Sequence, residues 1–493
     1  MLTLEKTEIR AAVLRQLEAV LPHVMRLMVP GACTPTLGEI ARSMPQGRRG
    51  PQPRDDFMEV IAARTEALHG PQTAAKVTRE FERRFLALTA NHVSAELHPE
   101  FFQGDLLFSL GCKEVVPVLA GGMIPLSNET FPRGLLTASR SAASEMPFEI
   151  GLLPKSSAHR TVLSCPPWTE ALMRAALARV MQNEALTAHE RVHLGHLMRE
   201  HFLSPDILRR STLSDQLLAL ASTFWGMVTR ETGLPPLVML EYESLAKDLI
   251  IRDLADPTTL VSRILFEPEV ILDLYQELRN QKACWHVEEE QIVRGTFLFW
   301  ALDRRGRIHR LQPEPDGRTL VGSGGHPFRL ELTVAALTEA LRTGAIIPSV
   351  FMLFAVTAFA RGLACAGGIL QTEYLPAMAE GLAQVFRELG EPDFAAQIAV
   401  DSPFATGLVP LRAPTADHLA HCPAGPVDLM LAGGLTRDML EKFAAMKLSD
   451  AVEASLAYLY EDRIPAAERI KGWLEVLRGE PSLLLHPAGR TVA

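Results

Sequence analysis

The chain has 493 residues, 47% of them hydrophobic and 22% charged, and its formal net charge is −9 at pH 7. This composition is that of a folded globular protein and excludes general disorder, while the acidic balance argues against a partner such as a nucleic-acid backbone. The length exceeds that of one compact core, so we expect several domains or one core with large insertions.

The spacing of the cysteines and the length of the apolar runs predict the cellular compartment of the protein. Six cysteines are spread along the chain without a CxxC pair, which is typical of a reducing compartment. The N-terminal segment mixes charges of both signs in a helical pattern, unlike a signal peptide. The longest uncharged run, residues 345–360, contains Pro348 and is too short to span a membrane. We predict a cytoplasmic protein with a small-molecule substrate and no membrane or nucleic-acid partner.

Helical periodicity marks the first part of the chain. Apolar residues recur at helical spacing over residues 5–28 and 54–90, with the polar loop QGRRGPQPRDD between them. Short apolar runs then predict strands between residues 112 and 168, within VVPVLAGG, GLLTA, EIGLLP and HRTVLSC. Helical spacing returns from Thr169 to about Arg279.

A second block of strands is predicted after that helical stretch. It comprises QIVRGTFLFWALD, GRIHRLQ and GRTLVGS, with a hairpin turn at GSGGHP. From Leu332 the pattern is helical again, with Gly344 as a helix stop and Pro348 as a restart.

These elements predict an α/β protein dominated by helices, with a Rossmann-like core sheet and helical additions at both ends. We expect a helical N-terminal region (1–90), an α/β core with a helical insertion at about 169–279 (91–330), and a helical C-terminal region that completes the site (331–493).

Polar side chains are unusually dense on both sides of the apolar run VVPVLAGG. They are Asn91, His92, His98, Glu100, Gln103 and Asp105 before it, and Ser127, Asn128, Glu129 and Arg133 after it. Polar residues just past a buried strand lie where open α/β sheets bind ligands. An imidazole titrates near neutral pH, so His92 or His98 is the candidate general acid or base.

The remaining side chains of this stretch are candidates for binding the substrate. We expect that role for Asn91, Gln103, Asn128, Glu129 and Arg133. The alternative is a helix, a strand and a capped loop with ordinary surface polar groups.

A second candidate cluster lies in the segment from Arg361 to Tyr374. Gly367 and Gly368 permit close approach of a ligand to the backbone, and the N-terminus of the next helix favours an anion. Gln371 and Tyr374, one turn apart, are expected on one helix face. We predict that this cluster shares a cavity with Asn91 and His92.

Cys365 precedes the Gly-Gly pair and has two interpretations. The N-terminus of a following helix would stabilise a thiolate nucleophile. A small buried cysteine in the core is the commoner case.

Three segments in this order resemble the pattern of the bacillithiol cysteine-adding enzyme family and its uncharacterised relatives: TANH, VVPVLAGGMIPLSNE and GGILQTEY. Ala90 stands in place of the glycine of that family's first motif, and Gln371 in place of a glutamate in the last. The resemblance implies a Rossmann-like core with helical insertions and an enzyme that joins or transfers small polar metabolites. Bacillithiol synthesis itself is not implied.

We therefore expect an enzyme of small-molecule biosynthesis, a ligase or a group transferase, and the sequence indicates no particular cofactor. Two alternatives stay open. One is a non-catalytic helical scaffold or partner-binding protein, in which the polar clusters are internal networks that lie far apart. The other is a metal-dependent hydrolase that uses His92, His98 and a carboxylate.

The stretch HERVH, residues 189–193, matches the zinc-binding HExxH pattern. Thr187 lies three residues before Glu190, so TAHE also fits a capping box that places the motif in the first turn of a helix. The helix continues with further histidines among charged residues, which indicates a solvated face.

We predict that HERVH binds no catalytic zinc. Elemental analysis of the purified protein is expected to find no zinc that depends on His189 and His193. Stoichiometric zinc that disappears when both residues are changed to alanine would show the prediction to be wrong.

Overall fold

A computed structural model of the protein describes residues 2–27, 34–94, 98–122, 134–153, 160–281, 283–287, 293–398, 404–479 and 483–485. These residues form a helix-dominated α/β structure. The helices are α1 (Leu2–Val20), α2 (Pro22–Arg26), α3 (Leu37–Ser43), α4 (Asp55–His69), α5 (Pro71–Arg83), α6 (Pro99–Ser109), α7 (Glu170–Gln182), α8 (Ala188–Leu197), α9 (Pro205–Leu208), α10 (Leu213–Thr229), α11 (Tyr242–Asp253), α12 (Leu260–Phe266), α13 (Pro268–Glu277), α14 (Val334–Arg342), α15 (Val350–Phe354), α16 (Gln371–Glu388), α17 (Pro392–Ile398), α18 (Pro426–Leu431), α19 (Arg437–Ala445), α20 (Leu448–Arg463) and α21 (Trp473–Leu477).

The strands are short and belong to several sheets. They are β1 (Leu86–Leu88), β2 (Val116–Ala120), β3 (Gly134–Thr137), β4 (Phe148–Gly151), β5 (Leu237–Glu241), β6 (Trp285–Val287), β7 (Val293–Gly295), β8 (Phe299–Leu302), β9 (Ile308–Pro313), β10 (Thr319–Gly322), β11 (Arg329–Glu331), β12 (Ile346–Pro348), β13 (Ala364–Gly367), β14 (Phe404–Ala405), β15 (Leu411–Pro414), β16 (His421–Pro423) and β17 (Leu483–Leu484).

The core sheet is parallel and has the strand order β14-β13-β1-β2-β5. Leu88 of β1 pairs with Ala366 of β13 on one side and with Val118 of β2 on the other. The chain proceeds outward from β1 to β2 and β5, and then returns to the opposite side of β1 with β13 and β14. The direction of winding therefore reverses between β1 and β13, where a crevice is expected outside the carboxyl ends of the strands.

The core sheet is covered on both faces. Leu86 and Leu88 point into one hydrophobic core, which also contains side chains from α6, α10 and α20. Ala87 and Leu119 point into a second core, formed with α4, α11 and α15. Burial of both faces is the usual environment of a parallel sheet, since its crossover helices cover each side.

Most of the strands expected in the sequence are confirmed. β2, β3 and β4 lie in the first predicted block, and β7, β8, β9 and β10 in the second. GSGGHP forms a turn between the antiparallel strands β10 and β11, and Gly344, with a positive φ of 70°, follows α14 as the predicted stop.

Three local predictions are wrong. HRTVLSC contains a 3-10 turn, Val162–Ser164, because Thr161 caps it as it would cap a helix. Pro348 does not restart a helix as predicted. It ends β12, and Ser349 caps the helix that follows. The helical prediction over 54–90 fails at Leu86–Leu88, because a three-residue strand is too short to show an alternating pattern and is specified by its neighbours.

The three predicted regions share one sheet. The central strand β1 lies inside the region expected to be the helical N-terminus, and β13 and β14 lie inside the one expected to be the helical C-terminus. The two flanking regions thus both contribute strands to the core sheet.

A buried guanidinium joins three elements beside this sheet. Arg361, which is 0% exposed, donates from Nε to Asp56 Oδ1 at 2.8 Å and from Nη1 to Asp253 Oδ2 at 3.1 Å. Burial alone would lower the pKa of Arg361, but the hydrogen bonds from the two carboxylates outweigh it and raise that pKa. Arg361 therefore stays charged, and its ion pairs link α4 and α11 to the segment that leads into β13.

We predict that Arg361→Met destabilises the protein by about 3–5 kcal/mol, because it leaves the carboxylate of Asp253 buried without its cation. Urea unfolding followed by circular dichroism measures the change. The matched control is Arg387→Met, whose partner Glu380 is 73% exposed, and a loss of less than about 1 kcal/mol is expected. Equal losses in the two variants would contradict the prediction.

Candidate active site

The two polar segments lie together at the carboxyl ends of the paired strands β1 and β13. The Thr89 N–H donates to the Ala366 carbonyl at 2.7 Å, and Gln371 Nε2 donates to Thr89 Oγ1 at 2.8 Å. A Cβ placed on Gly368 would lie 3.8 Å from the Ala90 Cβ. TANH and GGILQTEY, predicted to lie together, follow adjacent hydrogen-bonded strands.

Gln371 and Tyr374 are packed within the fold. Gln371 is 1% exposed, and a Cβ on Gly367 would clash with its amide, so this glycine is needed for internal packing. Tyr374 packs against Phe354, with ring centroids 6.1 Å apart, and burial raises the pKa of Tyr374. Both side chains belong to the sheet face that carries the second core.

Cys365 lies within β13 and is buried. Burial raises the pKa of its thiol to about 12, so the protonated thiol prevails at neutral pH. A nucleophilic cysteine needs a lowered pKa, so this environment favours the structural interpretation of Cys365.

Glu100 lies on the other side of the crevice, in the first turn of α6. It is 6% exposed, and its Oε1 is 3.9 Å from the position of a Cβ on Gly368. Gly407, just after β14, approaches the same carboxyl so closely that a side chain there would clash with it. Gly368 therefore leaves room beside its backbone in front of this buried carboxyl group, whereas Gly407 is packed against it.

The protonation of Glu100 is set by its surroundings. The Tyr458 hydroxyl donates to Glu100 Oε2 at 3.4 Å, and Arg463 Nη2 is 3.5 Å from the same oxygen. Burial raises the pKa of Glu100 to about 7, although the charge of Arg463 opposes the rise. A carboxyl group with this pKa can accept or donate a proton at neutral pH.

His98 and His92 are neutral at pH 7, because burial lowers the pKa of each to about 4. His98 caps α6, since its Nδ1 accepts from the Glu100 N–H at 3.4 Å. The Nδ1 of His92 is buried and has no hydrogen-bond partner among the residues that the structure describes. A neutral imidazole has no positive charge with which to attract an anionic group of a substrate.

A second polar grouping lies at the end of β2, where His92 and Glu243 flank Gly121. A Cβ on Gly121 would be 3.8 Å from His92 Nδ1 and 3.7 Å from Glu243 Oε1. Glu243 is 3% exposed and accepts from the Gly122 N–H at 2.7 Å. Gly121 thus lies between an imidazole and a carboxylate at the carboxyl edge of the sheet.

Asn91 and Gln103 make contacts inside the protein. Asn91 Nδ2 donates to both oxygens of Asp105, at 3.1 and 3.2 Å, and Asn91 Oδ1 is buried with no partner among the described residues. Gln103 donates to the Leu411 and Ala424 carbonyls at 2.9 and 3.0 Å and accepts from the Leu411 N–H at 2.8 Å. Gln103 is fully buried, and both its amide nitrogen and its amide oxygen make hydrogen bonds to the backbone. Its role is therefore structural, and the prediction that it binds the substrate is wrong.

Three of the expected substrate-binding residues, Asn128, Glu129 and Arg133, lie outside the described residues. The structure adds Glu100, Tyr458, Arg463 and Glu243 to the candidates. Glu243 had a signal in the sequence, because it closely follows the apolar run LVML of β5. Tyr458 and Arg463 had none, since they are more than 350 positions from Glu100 in the chain.

HERVH lies at the start of α8, in the predicted capping box of Thr187 and Glu190. The Glu190 carboxylate also accepts from Arg140 Nη2 at 2.8 Å and from the Thr187 N–H at 2.7 Å, so it is held by two partners. Within the described part of the chain, no group of three or more His, Cys, Asp or Glu side chains is arranged to hold a metal ion.

No protein-family model, curated protein or solved structure matches the chain. Among the helices of the described residues, none combines the length and the apolar character that crossing a membrane requires.

We predict that Glu100→Gln removes a pH dependence of stability. The pKa of Glu100 in the folded protein, about 7, lies above the ordinary value of 4.5 for the free side chain, so this group favours folding below about pH 4.5 and loses that contribution as pH rises to 7. Relative to wild type, the variant is expected to have a similar free energy of unfolding at pH 5 and a higher one at pH 8. Urea unfolding at both pH values measures the difference.

The control for Glu100→Gln is Glu441→Gln, at an exposed position of α19. The difference in the free energy of unfolding between this variant and wild type is expected to be the same at pH 5 and pH 8. If Glu100→Gln behaves like this control, the carboxyl group does not titrate near neutral pH and the assignment fails.

Proposed function

We propose that the protein is an enzyme of small-molecule biosynthesis, a ligase or group transferase acting on small polar metabolites. The observation that carries the proposal is the environment of Glu100. A carboxyl group with a pKa of about 7 lies at the carboxyl edge of a parallel sheet, in front of Gly368, where the missing side chain leaves room beside the backbone.

We also propose that the core is Rossmann-like. Its strand order in the chain, with winding that reverses at the central β1, is the order of doubly wound sheets that bind ligands at the reversal. Of the segments on which the family resemblance rests, TANH follows β1, VVPVLAGGMIPLSNE contains β2, and GGILQTEY begins at the last residue of β13, all strands of this sheet. Their arrangement supports the resemblance, and with it an enzyme that joins or transfers metabolites.

Glu100 is the proposed general base. An amine or hydroxyl of the acceptor substrate must lose a proton when it attacks an activated group, and a carboxylate near its own pKa can take that proton. Neutral His92, whose Nδ1 has no hydrogen-bond partner among the described residues, and Glu243 would orient the second substrate at the end of β2. Burial of the crevice favours transfer over hydrolysis, because an activated group is protected there from water.

The two alternatives fit the geometry less well. A scaffold was expected to keep its polar clusters far apart, whereas these follow hydrogen-bonded strands. A metal-dependent hydrolase would use the histidines with a carboxylate, but among the described residues no group of three or more His, Cys, Asp or Glu side chains is arranged to hold a metal ion. A cytoplasmic location and a small-molecule substrate remain part of the proposal.

A ligand screen by thermal melting tests the site. We expect an amino acid, sugar phosphate or nucleotide to raise the melting temperature of wild type but not of His92→Ala, because the variant lacks the unpaired imidazole. With the substrate known, Glu100→Gln is expected to lower activity by about 100- to 10,000-fold, as for other positioned acids and bases.

His418→Asn is the control for the histidine variant. His418 is exposed in a turn with φ 56°, a conformation that asparagine tolerates, so its ligand response should equal that of wild type. If His92→Ala keeps every ligand response, or if Glu100→Gln keeps full activity, the proposed roles are wrong.

A further inference from the structure

A large cleft opens at the carboxyl end of β5, apart from the Glu100 crevice. Its volume is about 1640 Å³, and it lies between α4, α11, the turn after β8 and the N-terminus of α10. Ligand pockets commonly have about 300–1,000 Å³, so this cleft can hold a molecule of considerable size.

The N-terminus of α10 faces this cleft. Thr212 caps the helix by accepting from the Asp215 N–H, which leaves the N–H groups of Leu213 and Ser214 in the first turn without an acceptor from the helix itself. The 17-residue helix also places the positive end of its dipole here. Both features favour an anion.

Two side chains independently indicate a ligand at this point. Ser214 is 3% exposed and lines the cleft, and its Oγ has no hydrogen-bond partner among the described residues. Arg210 lines the same cleft, and its buried Nε also has no partner there. A buried polar atom without a partner is costly, so an absent hydrogen-bonding group is indicated.

The charges around the helix terminus favour an anion. Arg210 and, from α11, Lys247 both line the cleft, whereas Asp215 is the acidic side chain of the same turn. The nearby Arg64 is neutralised by Asp248, with Nη2 and Oδ2 2.6 Å apart. Over the whole cleft, the described lining residues include seven Arg and Lys side chains and five Asp and Glu side chains, so cationic groups are in excess.

We propose that the N-terminus of α10, with Ser214 and Arg210, binds the phosphate group of a phosphate ester. Phosphate offers several acceptor oxygens, which match the serine hydroxyl, the guanidinium and the free N–H groups. The size of the cleft favours an ester over the free anion. This site does not depend on the activity proposed for the Glu100 crevice.

Calorimetric titration of the full chain with inorganic phosphate, ribose 5-phosphate and AMP tests the proposal. We expect at least one of the two esters to bind, and Ser214→Ala and Arg210→Gln each to weaken that binding by about 10- to 100-fold, the loss of one hydrogen bond to a charged group. Ser214→Ala should keep the melting temperature of the unliganded protein, because its hydroxyl has no partner to lose.

Two matched controls separate the site from general effects. Ser222→Ala removes a hydroxyl from the same helix, where Ser222 Oγ donates to the Leu218 carbonyl at 3.2 Å. Arg174→Gln removes one positive charge from α7 at a side chain that is 67% exposed. Both controls should bind the esters as wild type does.

Several results would overturn the proposal. They are the absence of saturable binding of either ester by wild type at about 10 mM, unchanged affinity in both site variants, and equal losses in the controls. Binding of inorganic phosphate as tight as that of the esters would replace the ester by the free anion.

Discussion

The pairing of β1 between two parallel neighbours is the constraint on which the architecture depends. Its three residues make backbone hydrogen bonds to β13 and β2, and their side chains alternate between two hydrophobic cores. So short a strand has no stability by itself and exists because both neighbours satisfy its backbone. The same pairing brings the ends of β1 and β13 together, and so the position of the crevice follows from it.

The buried ionic side chains differ in how many opposite charges contact them, and this number distinguishes the structural ion pairs from Glu100. Arg361 is bound by two carboxylates, and buried Glu145 is bound by two guanidinium groups, those of Arg412 and Arg478. Glu100 has one cationic partner, Arg463, at 3.5 Å. A buried carboxyl with so little compensation retains its proton until about neutral pH, which a structural ion pair does not do.

The carboxyl edge of the sheet offers two different environments. At β13 and β14 it is closed, and glycines lie close to the carboxyl of Glu100. At β5 it opens into the large cleft, and Glu243, which lines that cleft, also holds the backbone of Gly122 after β2. A buried acid and base group and an open, positively charged helix terminus thus lie along one edge, which is a suitable arrangement for a reaction between two substrates.

The sequence by itself determined those features that depend on neighbours in the chain. The apolar runs marked β2 and the later hairpins, the Thr-x-x-Glu spacing marked the cap of α8, and the polar residues after β1 and β13 marked the edge of the sheet. Each is a local pattern, in which capping, turn chemistry or side-chain periodicity decides the outcome.

Only the tertiary structure decided which polar groups can titrate at neutral pH. The sequence favoured histidines for that role, but burial makes His92 and His98 neutral and raises the pKa of Glu100 to about 7, although Arg463 and Tyr458 of α20 oppose that rise. Likewise β1 is a strand because its partners come from distant parts of the chain, and packing decides that Ser214 Oγ is buried without a partner among the described residues. Desolvation and pairing between distant segments have no local pattern in the sequence, since both arise when the chain is packed.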